Sequence, residues 1–133
     1  MKTPTTLKKA LLGNAAFSLA SALAMALSSP WLSAQLGLSA TWPVYGVSIG
    51  LALYAPYLLW LALKEPRPPA GVWMAIGGDL SWVLASVVLG TLYADKFTGV
   101  GLFLVIAAAV LVMTFADFQL LGLWKTRKHG AAI

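Results

Sequence analysis

Four apolar runs, each long enough to cross a bilayer as a helix, constrain this chain more than any motif it contains. A hydrocarbon core about 30 Å thick takes about 20 helical residues to cross. The runs cover about residues 10–27, 42–63, 70–92 and 97–124. Each is continuous and Leu/Ala-rich, without the alternation of a barrel strand, so helix is the expected state. The connections at 64–69 and 93–96 are short, which makes the helices they join antiparallel neighbours. The chain is therefore expected to be an all-α membrane protein, one membrane domain over residues 1–133 folded as a four-transmembrane-helix antiparallel bundle. Composition agrees: 10% of residues are charged, against roughly 25% in a soluble domain.

Positive charge sets the expected orientation. Lys2, Lys8, Lys9, Lys64, Arg67, Lys125, Arg127 and Lys128 fall on one side of a four-span topology, and only Lys96 on the other. Both termini then face the cytoplasm. The net charge of +5 reads as topology and contact with anionic membrane lipids. No nucleic-acid partner is expected, because the basic residues are dispersed along the membrane boundaries. Lys8-Lys9, the apolar run and Leu32-Ser33-Ala34 imitate a cleavable leader. The run exceeds the 7–15 residues of a signal core, so a retained span is expected.

The outer loop holds no charge. Pro30 ends the first span, and Trp31, Leu32, Leu36 and Leu38 suit a short interfacial segment. Trp42, Tyr45, Tyr93 and Phe97 form an expected outer aromatic belt, and Trp60, Trp73 and Trp124 an inner one. Between the second and third spans, Lys64-Glu65-Pro66-Arg67-Pro68-Pro69 is a stiff turn, since three prolines stop the helices from merging.

The chain also resembles itself. Residues 13–21 and 78–86 share Gly, Asn or Asp, two variable residues, an aromatic, one variable residue, then Leu-Ala-Ser. The second and fourth spans match less clearly, as in residues 57–64 and 118–125. A duplicated helical hairpin is expected, its halves related by a pseudo-two-fold axis along the membrane normal. The first and third spans should then meet centrally, with Gly13, Ala20, Gly78 and Ala85 permitting close approach.

Asp79 and Asp117 are the acids inside spans. A carboxylate at a helix centre costs at least about 2.5–3.5 kcal/mol, so each should face protein or water. Asn14 lies at a similar depth, and one polar cluster opening inward is expected. On the first span Asn14, Ser18, Ser21, Met25 and Ser28 follow steps of three and four. On the second, Gly46, Gly50, Tyr54 and Tyr57 form one line. On the third, Asp79, Trp82, Ser86 and Tyr93 do so, and on the fourth Thr114 and Asp117. The candidate ligand-binding set is Asn14, Tyr54, Tyr57, Asp79, Trp82, Ser86 and Asp117. Close packing is the simpler reading of Gly46-x-x-x-Gly50. Asp117 is shallow enough to reach headgroups or to pair with Lys125 or Arg127.

With no cysteine, and with its one histidine, His129, in the polar tail, the chain is expected to hold no metal and no cofactor. The Gly-Asn-x-x-Phe-Ser start and the Asp79-Leu-Ser-Trp-Val-Leu-Ala-Ser segment resemble small bacterial four-span inner-membrane proteins of uncharacterised function. That resemblance implies a bacterial inner membrane and no particular activity. Size and span count are also similar to the small multidrug transporters, but their essential first-helix glutamate corresponds here to Asn14. Three function classes remain. The first is a pocket that binds or transports an amphipathic or cationic small ligand. The second is an accessory or assembly subunit, in a homo-oligomer or a larger membrane complex. An enzyme is the least supported, because no nucleophile–base pair accompanies the carboxylates.

Overall fold

The structure is a computed structural model that describes residues 6–65 and 67–128. Lys2, Pro66 and His129 lie outside the described residues, as do the side chains of Arg127 and Lys128. Five α-helices follow in order: α1 (Thr6–Leu27), α2 (Ser29–Gln35), α3 (Trp42–Leu63), α4 (Pro69–Leu92) and α5 (Gly99–Lys128). A 3-10 turn, Ala94–Lys96, precedes α5. The four long helices are each apolar and long enough to cross a membrane, and the chain is an all-α, multi-pass membrane protein. The four expected runs overlap α1, α3, α4 and α5; α1 begins four residues earlier and α5 ends four residues later than the sequence reading placed them. The short segment after the first span is α2, which opens with Pro30 in its first turn, where a missing N–H costs nothing. Prolines open α3 and α4 in the same way.

Large exposed side chains such as Leu27, Leu53, Leu92 and Phe103 ring the bundle. Trp60, Trp73 and Trp124 are exposed near the end carrying the termini, and Trp42, Tyr45 and Tyr93 near the other. Lysines lie over rings at both levels, Lys64 5.6 Å from Trp60 and Lys96 5.4 Å from Tyr93.

The main cluster of buried apolar side chains sits in one half of the bundle. Leu7, Leu11, Leu58, Leu61, Val72, Ile76 and Leu123 pack together towards the charged end, which carries both termini and the 64–69 turn. Arg67 belongs to this end as a cap. Its Nε and Nη2 donate to the Leu61 and Ala62 carbonyls at 2.9 and 2.8 Å, serving the free carbonyls that terminate α3. Burial lowers the guanidinium pKa, and nearby Glu65 opposes that shift.

Burial repeats along the chain at the spacing of the sequence motif. Leu7 and Val72, Ala10 and Ala75, Leu11 and Ile76, Asn14 and Asp79, and Leu58 and Leu123 are all buried pairs, each 65 residues apart. Packing departs from the symmetry this suggests. α1 lies between α3 and α5 and packs extensively on both, and α4 packs mainly on α5, while α3 and α4 approach each other little. The expected central meeting of the first and third spans is therefore corrected. Ala20 and Ala85 are exposed, Gly13 faces the Phe115 ring and Gly78 the Tyr54 hydroxyl. The two helices meet through side chains.

Paired positions explain the asymmetry. At Gly122 an added Cβ would lie 2.5 Å from the Leu7 backbone nitrogen, so only glycine allows α5 this close to α1. The position 65 residues earlier is Tyr57, whose hydroxyl donates to the Gly71 carbonyl at 2.7 Å and spans the space between α3 and α4. Phe115 fills the other half of the α1–α5 seam, its ring 5.7 Å from that of Phe17. Its counterpart is Gly50, with nothing within 4 Å of an added Cβ. A seam filled on one side of the bundle is open on the other.

The end opposite the termini is tied by backbone contacts. Thr98 donates its N–H to the Gln35 carbonyl at 3.0 Å. Gly37, at φ 69°, lies under the Lys96 carbonyl, and Gly101 lies against that of Gln35. A Cβ at either would collide, so glycine is required at both.

Candidate functional site

Asp79 sits at the centre of a polar knot to which every long helix contributes. Its Oδ2 accepts from Asn14 Nδ2 of α1 at 2.7 Å and from Gln119 Nε2 of α5 at 2.6 Å. Its Oδ1 accepts from the Tyr54 hydroxyl of α3 at 3.1 Å. Tyr54 also reaches the Ala75 carbonyl at 2.8 Å. One hydroxyl proton thus serves two acceptors. Ser18 donates to Asn14 Oδ1 at 3.4 Å and extends the knot along α1. These four side chains are two pairs at the repeat spacing, Asn14 with Asp79 and Tyr54 with Gln119, as expected of residues gathered near a pseudo-two-fold axis.

Asp79 is 3% exposed, and among the described residues no cation faces it. The only ion pair among the described residues joins Arg67 to Glu65 at 3.9 Å. A carboxylate offers about four acceptor positions, and three donors reach it, two on Oδ2 and one on Oδ1. Acceptor capacity therefore remains on Oδ1. Two other buried atoms nearby lack a protein partner, Trp82 Nε1 and Gln119 Oε1, and each carries a desolvation cost of order 1–3 kcal/mol.

A cavity of about 770 Å³ begins at this knot. Asn14, Ser18, Ser21, Met25 and Ser28, the whole stripe read on the first span, line one wall. From Asn14 to Met25 that wall is about 16 Å long at the helical rise. Gly50, Leu51 and Tyr54 of α3, Gly78, Asp79 and Trp82 of α4, and Leu104 and Leu111 of α5 line the others. Trp31 and Leu32 of α2, and Leu36 just after it, lie at its far end. The lining is almost wholly apolar, with its polar groups on the α1 wall and at the Asp79 end. Val47, Gly50 and Gly78 line the cavity and are exposed, so it reaches the bundle surface between α3 and α4.

Four of the seven sequence candidates, Asn14, Tyr54, Asp79 and Trp82, lie at this cavity. The other three are placed elsewhere. Tyr57 lies on the charged side of the knot and bridges α3 to α4. Ser86 donates to the Trp82 carbonyl at 2.8 Å and faces a second groove, between α4 and α5. Asp117 is exposed, as is Thr114 beside it. The buried stripe of α5 runs through Val112, Ala116, Gln119 and Leu123, and Asp117 falls off it by about 100° from Ala116 and 200° from Gln119. The direction of opening is corrected too. A polar cluster opening towards the charged end was expected, but the cavity extends from Asp79 towards α2, and the leucine core closes the other side.

Gln119, which is not among the sequence candidates, joins the knot from α5. Two signals in the sequence mark Gln119: an amide within a membrane-length apolar run, and its position 65 residues after Tyr54. Among the described residues no group of three or more potential metal ligands comes together. No protein-family model, curated protein or solved structure matches the chain.

Proposed function

We propose that this protein is a non-catalytic membrane binding or transport protein for a small amphipathic cation, in a bacterial inner membrane with both termini cytoplasmic. The ligand's apolar body occupies the cavity and its cationic or N–H-bearing head lies at Asp79. One observation carries this reading. A buried carboxylate with acceptor capacity to spare, and no countercharge among the described residues, closes one end of an elongated apolar cavity of about 770 Å³. Cavities of 300–1,000 Å³ suit drug-sized ligands, and a lone carboxylate in low dielectric attracts a positive head. The distribution of lysines supports the orientation.

The second reading is an accessory subunit, in which the knot only fastens four helices together. In its favour, all three donors to Asp79 come from the protein itself. Native mass spectrometry with tetraphenylphosphonium as probe separates the two. Binding that is lost in Asp79→Asn and kept in Asp117→Asn supports a ligand site. Equal binding by both variants and the wild type, or none by any, supports the subunit reading.

A further inference from the structure

We infer that the Asp79 site loads from one side of the membrane only, the side bearing α2, and that its ligand is a lipophilic cation entering through the gap between α3 and α4. The inference names the route to the site proposed above. Its structural half, one-sided access, stands or falls separately from ligand binding.

Towards the charged end the path is closed. Leu7, Leu11, Leu58, Leu61, Val72 and Ile76 are each no more than 2% exposed. The Tyr54 and Tyr57 hydroxyls bond the Ala75 and Gly71 carbonyls there and hold α4 to α3. Towards α2 no side-chain hydrogen bond joins α3 to α4 among the described residues, and Gly50 leaves the gap without a side chain. The hydroxyls of Ser18 and Ser21 line the way from that end down to Asn14 and Asp79.

Charge favours the same direction. The closed end carries Lys8, Lys9, Lys64, Arg67 and Lys125 against Glu65, whereas the α2 end carries Asp95 and Lys96, which balance. A cation approaching from the α2 side meets no net repulsion.

The chain has no cysteine, so single replacements report access cleanly. The test uses full-length protein in oriented proteoliposomes and a membrane-impermeant trimethylammonium methanethiosulfonate. Asp95→Cys and Lys64→Cys mark the two faces. Ser21→Cys should react from the Asp95 face, with complete loss of modification from the Lys64 face. Ala75→Cys, one turn beyond Asp79, should react from neither. The inference is overturned if Ser21→Cys reacts from the Lys64 face, from both faces or from neither, or if Ala75→Cys reacts from the Lys64 face. Where Ser21→Cys reacts, from either face, slowing of that reaction by tetraphenylphosphonium reports separately on the ligand site.

Discussion

The α1–α5 and α3–α4 seams occupy equivalent places in a repeated hairpin and behave in opposite ways. In the first, Gly122 lets two backbones touch and Phe115 fills the space above Gly13. In the second, Tyr57 props the helices apart at the level of Gly71, and Gly50 leaves the corresponding space open. Helices in lipid gain no hydrophobic advantage from meeting, so contact and hydrogen bonding decide which pairs close. Exchanging a glycine for an aromatic at two paired positions is therefore enough to convert a packed interface into a cavity wall.

The largest effect is expected where the close seam is broken. Gly122→Tyr gives α5 the residue found at its counterpart and drives a ring into the α1 backbone. The overpacking cost of about 1–3 kcal/mol is a lower bound, and loss of the folded bundle is expected in a detergent unfolding assay. Asp79→Ala comes next, because it strands one amide N–H each of Asn14 and Gln119, while the Tyr54 hydroxyl keeps the Ala75 carbonyl. A loss of about 2–3 kcal/mol is expected in the same assay, and Asp79→Asn, which keeps the shape, should lose less. Tyr57→Phe removes one bond across the open seam and should cost about 0.6 kcal/mol, the average for such bonds in membranes. Smallest is Gly46→Ala. Its Cβ would meet open space, so unfolding should be unchanged or slightly harder. A large loss there would mean that the face is packed in the functional state.

Much of this was legible in the sequence, for identifiable reasons. Hydrocarbon thickness sets span length, so the ends at Leu27, Trp42, Leu63 and Leu92 could be read directly. Asp79 could be placed inside because lipid does not tolerate a carboxylate, and the α1 stripe from Asn14 to Ser28 followed from helical periodicity. Which helices touch was not legible. That depends on where glycine lets backbones meet, and Gly122 looks like any other glycine in an apolar span until α1 lies against it. For Asp117 depth alone does not decide burial, because azimuth around α5 matters as much. Asp117 shares the level of the knot and lies off the buried stripe that carries Gln119. Arg67 likewise reads as a topogenic charge, and its use as a cap for α3 emerges only once the turn is folded.

The open seam itself is tested most directly by measuring tetraphenylphosphonium binding to the wild type and to Gly50→Phe, with folding checked by unfolding of each. The replacement supplies the counterpart of Phe115 and should close the gap against Gly78 and Trp82. Binding by the wild type and its loss in a stably folded Gly50→Phe is the expected result. Undiminished binding by folded Gly50→Phe would contradict the account, since the ligand would then sit somewhere other than between α3 and α4.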